Sequence, residues 1–283
     1  MRTLILGCKG QLGKDLMIVF GEVGEVVGCD LPETDVSSRD DVRSAIEDSR
    51  AEFVVNSAAY TDVEAAEDDE EGAFLVNEQG ARVVAAQAAA KDIPVVYVGT
   101  DFVFDGRKTT AYGPGDTTNP LSVYGRSKLA GENAVRGAAR RHFIVRSAWL
   151  YGPGGNNFPE KIIAAARKNP SLKVVHEEIG SPTHTWDLAL ATRALSRTEA
   201  YGTYHAVNTG SCARDEFART ILEYAGIDTP VTACALDEFP TKARRPVYSV
   251  LSTADLEGAT GHAIRDWRDA LKHYIERRSQ NHQ

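Results

Sequence analysis

The stretch VYGRSKLAGE (123–132) sets a phenol, Tyr124, four positions ahead of an amine, Lys128. On a helix these positions lie one turn apart on one face, so both groups can act at a single point. Reduction of a ketone has use for such a pair, because the developing alkoxide must take a proton as the carbon takes hydride. A phenol with an ordinary pKa of about 10 donates and recovers a proton poorly unless a nearby positive charge favours its ionised form. The same spacing arises by chance on surface helices, where the tyrosine packs and the lysine faces water. The pair alone does not choose between these readings. Upstream, VGTDFVFDG offers Thr100, whose hydroxyl can hold a carbonyl oxygen, followed directly by Asp101.

A second group of residues addresses phosphate. GCKGQLG places Gly7, Gly10 and Gly13 between an apolar run and a helical pattern. A tight turn needs positive φ, a pyrophosphate needs close backbone approach, and a helix N-terminus offers free N–H groups with a favourable dipole. Asp30 closes the next apolar run, where a ribose-binding acid belongs in a dinucleotide fold. A carboxylate there accepts ribose hydroxyls and repels a 2′-phosphate. Charge therefore leans the cofactor toward NADH over NADPH, with Arg39 able to soften the repulsion if its loop folds back.

These groups need a scaffold. TLILG (3–7), EVVGCD (25–30), FVVNSAA (53–59), PVVYVGTDFVF (94–104) and HFIVRSAWLYG (142–152) are apolar without alternation, the pattern of parallel strands buried on both faces. Helical patterns lie between them, among them one long pattern over 69–92, and Ser37 or Ser38 is placed to cap the helix entering at Asp40. The alternation predicts an α/β fold: a doubly wound Rossmann-type parallel sheet with a smaller α/β substrate lobe. Residues 1–150 are expected to bind the dinucleotide, and 151–283 to form mainly the substrate lobe, with the chain returning near 180–210. In such sheets ligands sit beyond the carboxyl ends of the strands, where Thr100 and Asp101 fall.

Composition narrows the field. A net charge of −8 without a Lys/Arg run argues against nucleic-acid binding. Cys8, Cys29, Cys212 and Cys234 show no metal-ligand spacing, so neither a metal site nor a disulfide is expected. No segment approaches the ~20 apolar residues of a membrane span, and a cytoplasmic protein is expected. Trp267 is read as core, and EDDEEG (67–72) as a solvated helix start whose acids complement the dipole.

Taken together, GCKGQLG, VVNSAAYTDVEAAE, LVNEQGA, TDFVFDG, NPLSVYGRSKLAGE, VRSAWLYG, NNFPEKI, IGSPTHTWDLA and RRPVYSVLS resemble, nearly end to end, the extended short-chain dehydrogenases/reductases. Within them the chain is similar to the dTDP-4-dehydrorhamnose reductases. That resemblance implies reduction of the C4 keto group of a dTDP-4-keto-6-deoxyhexose by NADH or NADPH, with Thr100, Tyr124 and Lys128 as the catalytic set and Tyr124 as proton donor. It implies a cofactor site of Gly7, Gly10, Gln11, Leu12, Gly13, Asp30, Ala58, Ala59 and Tyr60, with Asp35 and Val36 near the adenine and Tyr124 and Lys128 at the ribose end. It also implies a nucleotide-sugar site of Thr61, Val63, Thr100, Asp101, Phe102, Tyr124 and Trp149, with Asn157, Arg244 and Arg245 toward the diphosphate or base.

Two departures stand out. The family usually has tyrosine where this chain has Phe102. Some members hold a metal at a dimer interface through acidic residues; Asp15 fits one such position but Trp186 occupies another, so neither metal nor homodimer is carried over. A dehydratase or epimerase of the same superfamily is an alternative, although dehydration needs a carboxylate pair after the threonine and Phe102 can move no proton. A regulatory cofactor-binding subunit like that of methionine adenosyltransferase is another, set against the presence of the whole Thr–Tyr–Lys set.

Overall fold

A computed structural model describes residues 1–280 of the chain. The first half alternates strand and helix: β1 (Thr3–Leu6), α1 (Gln11–Gly21), β2 (Val26–Cys29), α2 (Arg39–Ser49), β3 (Phe53–Asn56), α3 (Glu70–Phe74), α4 (Ala81–Ala90), β4 (Val95–Thr100), α5 (Val123–Ala138) and β5 (His142–Ser147). The second half runs β6 (Leu150–Tyr151), α6 (Phe158–Ala166), β7 (Leu172–Val175), β8 (Ile179–Gly180), β9 (Thr183–His184), α7 (Thr185–Leu195), β10 (Gly202–His205), β11 (Cys212–Ala213), α8 (Arg214–Tyr224), β12 (Val231–Cys234), α9 (Ala254–Thr260) and α10 (Trp267–Gln280).

Six strands form one parallel sheet in the order β10-β5-β4-β3-β1-β2. Both faces are covered, so each strand buries alternate side chains in opposite directions. Ile5 packs with Leu16, Val19 and Phe20 of α1 and Leu188 and Leu195 of α7. Leu4 and Leu6 point the other way, into Val42 and Ile46 of α2, Val84 and Ala88 of α4, and Val135 of α5. A separate core joins α6, α8 and α10 around Phe217 and Trp267, both fully buried, with β7 and β12 paired beside them.

Three stretches depart from the sequence expectation. The run 94–104 is not one strand. It ends at Thr100, whose hydroxyl accepts the Phe102 N–H and turns residues 101–103 into a 3₁₀ turn. The run 142–152 breaks between β5 and β6, where Trp149 takes φ +45°. The long helical pattern is divided by a π turn at Leu75–Gly80, a local widening that turns a side chain inward. Here Asn77 receives the Tyr60 N–H at 2.9 Å, donates to the Ser127 hydroxyl at 3.0 Å, and offers its carbonyl to Tyr97 at 3.0 Å. Ser38 caps α2, and Asp69 caps α3 with Glu70 and Glu71 in its first turn.

The register of α5 against β4 depends on Gly131. A Cβ there would lie 2.1 Å from the Asn77 carbonyl and 2.3 Å from the Tyr97 hydroxyl. Gly131→Ala is expected to force α5 outward, lowering stability by about 1–3 kcal/mol in denaturant unfolding. It should also depress turnover beyond what the lost folded fraction explains.

Candidate active site

The glycine turn is built by exclusion of side chains. Gly7 has φ +81°, and a Cβ on it would meet the Ala58 nitrogen at 2.6 Å; on Gly13 it would meet the Gly7 carbonyl at 2.1 Å. Gly10 caps α1 without a side-chain bond, and no acid lies in the first turn, so the N-terminal N–H groups stay open to an anion. Asp30 stands beside this turn, accepting the Lys9 N–H at 2.7 Å and the Leu31 N–H at 2.8 Å. The Lys9 ammonium reaches the Leu31 carbonyl and Glu33. Ala58, Ala59 and Tyr60 are half-buried at the end of β3, against the turn.

Some expected cofactor residues reach the crevice differently from the others. Leu12 and Val36 are buried among core side chains, so Leu12 can serve a ligand only through its backbone and Val36 serves as the wall under Gly80. The Asp35 carboxylate is engaged with the Ser37 N–H and hydroxyl. Gln11 is drawn toward the second lobe, its side-chain oxygen accepting from Asn157 at 3.3 Å.

Thr100, Tyr124 and Lys128 come together at the carboxyl end of β4. Ser122 caps α5 by accepting the Gly125 N–H, which starts the helix so that Tyr124 and Lys128 face the strand. The Tyr124 side chain is half-buried and meets Phe102 edge-on at 5.4 Å. Burial pushes this phenol up to about 12; the neighbouring Thr100 hydroxyl opposes that shift and the Asp101 charge adds to it. Lys128 is almost fully buried. Its ammonium donates to the Val98 carbonyl at 2.7 Å and lies 4.2 Å from the centre of the Tyr97 ring. Burial pulls it down to about 7, against the opposing charge of Glu132.

Asp101 is buried and accepts the Thr100 hydroxyl at 3.1 Å. Its other oxygen faces the Ser249 hydroxyl without a well-formed hydrogen bond, and burial raises the carboxyl to about 6. Buried polar atoms without partners also include the Ser147 hydroxyl and Arg245 Nε. Such atoms are costly unless a ligand or water meets them, which marks this end of the crevice as built for a polar occupant.

The remaining substrate candidates separate. Trp149 lies under the guanidinium of Arg214, 3.4 Å from its ring centre, and Arg214 is paired with Glu178 at 2.9 Å. Arg245 crosses the crevice to Glu64 at 2.7 Å, whereas Arg244 is exposed. Thr61 is exposed and Val63 half-buried on the segment leading to Glu64. Asn157 caps α6 and donates to the Gly152 carbonyl, so its amide is committed to shaping the loop. Arg214 and Glu178 carried no sequence signal, and Ser249, although it lies within RRPVYSVLS, was not singled out there; only folding unites the three.

A cavity of about 530 Å³ lies apart from this set, between the 153–156 loop, α6 and α10. His184 closes its inner end, buried and held neutral, with both ring nitrogens unpartnered. Near it Asp15 accepts from Thr185 at 2.5 Å and from Arg277 at 3.0 Å, and Arg277 covers the Trp186 ring.

A family model described as the RmlD substrate binding domain matches residues 1–280. The chain belongs to that family. It is 37% identical to the spore coat polysaccharide biosynthesis protein SpsK of Bacillus subtilis, over 98% of each chain. It is 34% identical to the dTDP-4-dehydrorhamnose reductase of Sinorhizobium fredii, over 97% of each. The crystal structure of dTDP-4-dehydrorhamnose reductase from Bacillus anthracis in complex with NADP superposes with a TM-score of 0.94 at 35% identity, covering 98% of this chain and 99% of that one. The chain is accordingly an oxidoreductase of the dTDP-4-dehydrorhamnose reductase type.

The raised Asp101 carboxyl has a stability consequence. Its folded pKa of about 6 exceeds the ordinary value of about 3.9, so its contribution is full below pH 4 and is lost as pH rises through 6. Asp101→Asn removes that dependence. The variant should gain on the parent between pH 4 and 7, by up to about 3 kcal/mol in paired denaturant titrations, and a difference that stays flat with pH would contradict it.

Proposed function

We propose that this protein reduces the C4 keto group of a dTDP-4-keto-6-deoxyhexose, dTDP-4-dehydro-L-rhamnose first among them, with Tyr124 as proton donor. The observation that carries the reading is the meeting of Thr100, Tyr124 and Lys128 at the end of β4, beside an open helix N-terminus. Residues 1–150, with the return through α7 and β10, would hold the cofactor; the later residues would supply most of the sugar-nucleotide contacts.

The residues present fit a nicotinamide dinucleotide: the uncapped α1 N-terminus can take the pyrophosphate and Asp30 a ribose. Bound there, NADH or NADPH supplies the hydride. The chain's own work is positioning and proton transfer. The Thr100 hydroxyl, already beside the phenol, can hold the ketone oxygen. Tyr124 gives its proton to that oxygen as negative charge develops on it, and the phenolate keeps the electron pair. Because burial opposes phenolate formation in the free protein, a positive charge is needed, and Lys128 supplies one while holding the cofactor ribose. Arg214 and Arg245, each now paired with a carboxylate, have the donor chemistry for a diphosphate. Asp30 favours NADH, but the Lys9 ammonium close by keeps the discrimination small.

Purified protein given dTDP-4-dehydro-L-rhamnose and NADH or NADPH should oxidise the cofactor; no oxidation with either removes the function. Tyr124→Phe should lower kcat by roughly 10²–10⁴-fold with cofactor affinity nearly unchanged. Asp30→Ala should move the NADH to NADPH ratio of kcat/KM toward NADPH, whereas an unchanged ratio would show that Asp30 does not set it.

A further inference from the structure

Lys128 does not stand alone beneath the crevice. One turn further along α5 is Glu132, with no exposed surface. Its carboxylate does not hydrogen-bond the Lys128 ammonium, which is on the Val98 carbonyl instead. It is held from the other side: Arg146 of β5 donates Nε to Oε1 at 2.8 Å and Nη2 to Oε2 at 2.7 Å. Arg136 adds a bond at 2.9 Å. Arg146 is itself fixed, through the Pro114 carbonyl at 3.3 Å and His205 Nε2 at 3.4 Å. His205 has its Nδ1 against the Tyr112 carbonyl, which leaves Nε2 as the acceptor of the arginine, and burial keeps the ring neutral.

The strand between helix and clamp is cleared for this pair. A Cβ on Gly99 would lie 2.8 Å from Arg146 Cγ and 3.0 Å from Glu132 Oε1. One helical turn from Lys128, the carboxylate acts on the ammonium by its charge through a low-dielectric interior while its bonds to Arg146 and Arg136 hold it away from contact.

We propose that Glu132, clamped by Arg146, is a positioning residue that keeps Lys128 charged in its buried site, and that the clamp prevents a direct ion pair that would immobilise the ammonium. This rests on the reading of Lys128 given above. Burial of an amine disfavours its charged form, and a fixed carboxylate within one helical turn offsets that without contact. Of the titratable and charged groups on the elements packed around Lys128, Glu132 is the one whose charge acts on the ammonium. α5 contributes Tyr124 above and Glu132 below, and β4 contributes Tyr97, whose ionisation burial pushes well above its ordinary range. The turn after β4 contributes Asp101, itself raised and next to Tyr124. β5 contributes Arg146, whose charge the same carboxylate takes up.

The test uses protein labelled at lysine side chains, with the Lys128 signal assigned through Lys128→Met and followed by NMR against pH in the absence of substrate and cofactor. Glu132→Gln should move the Lys128 midpoint down by about one pH unit or more, with the alkaline limb of kcat/KM moving the same way. Arg146→Met should move it up, since Oε1, no longer held, can then turn to the ammonium while Arg136 keeps Oε2, and kcat should fall. In Glu132→Gln/Arg146→Met, which removes both buried charges of the clamp and leaves Arg136 its bonds to Asn133 and Thr203, the midpoint should fall below that of the parent. General damage to the fold would move the single variants in one direction only. Midpoints that do not move, or that move together, overturn the inference while leaving the catalytic set intact. Unimpaired turnover by Lys128→Met would instead remove the assignment on which it rests.

Discussion

The packing of α5 onto β4 is the constraint on which the rest depends. Two glycines make it: Gly131 lets the helix touch the Asn77 carbonyl and the Tyr97 hydroxyl, and Gly99 lets the strand pass over the Glu132–Arg146 pair. The approach removes the Lys128 amine from water and delivers the Tyr124 hydroxyl to Thr100. Neither side chain has unusual chemistry by itself. Their properties come from a helix set close enough that burial and fixed charge outweigh solvent.

The same closeness explains the polar network below the crevice. Replacing one partner of a buried ion pair leaves the other uncompensated, which is far more damaging than the pair is stabilising. The Glu132–Arg146 pair is thus poor evidence for stability and better evidence for a placed charge. Asp101 follows the same logic, as do the Ser147 and Ser249 hydroxyls: buried groups left short of partners where a polar ligand would meet them.

Much of the scaffold was legible in the sequence because parallel strands covered on both faces are continuously apolar, as in TLILG and FVVNSAA. The same signal misled at 94–104, where Phe102, Val103 and Phe104 prolong the apolar run although the Thr100 hydroxyl has already turned the chain. Trp149 is bulky and β-prone, so its left-handed backbone had no signature in the sequence. That Thr100, Tyr124 and Lys128 meet in space was readable because spacing along one strand and one helix face relates them. Arg214, Ser249 and the Glu132–Arg146 clamp were not, since each joins segments related only through tertiary packing. Asn157 was expected toward the diphosphate or base, but its work as the cap of α6 depends on where that helix begins.

The segment bearing Arg245 is tied to the loop that follows β3. Arg245 is tied to Glu64, Lys242 to Asp68, and Gly106 sits against Pro246 and Val247. The Lys242–Asp68 pair is largely solvated, hence worth little and weakened by salt, whereas the Arg245–Glu64 pair is partly buried and Glu64 also accepts the Lys242 and Ala243 N–H groups. Glu64 thereby receives three donors from this one segment. The carboxylate fixes the guanidinium in one orientation, so the direction of its charge is set by the fold before any anion meets it.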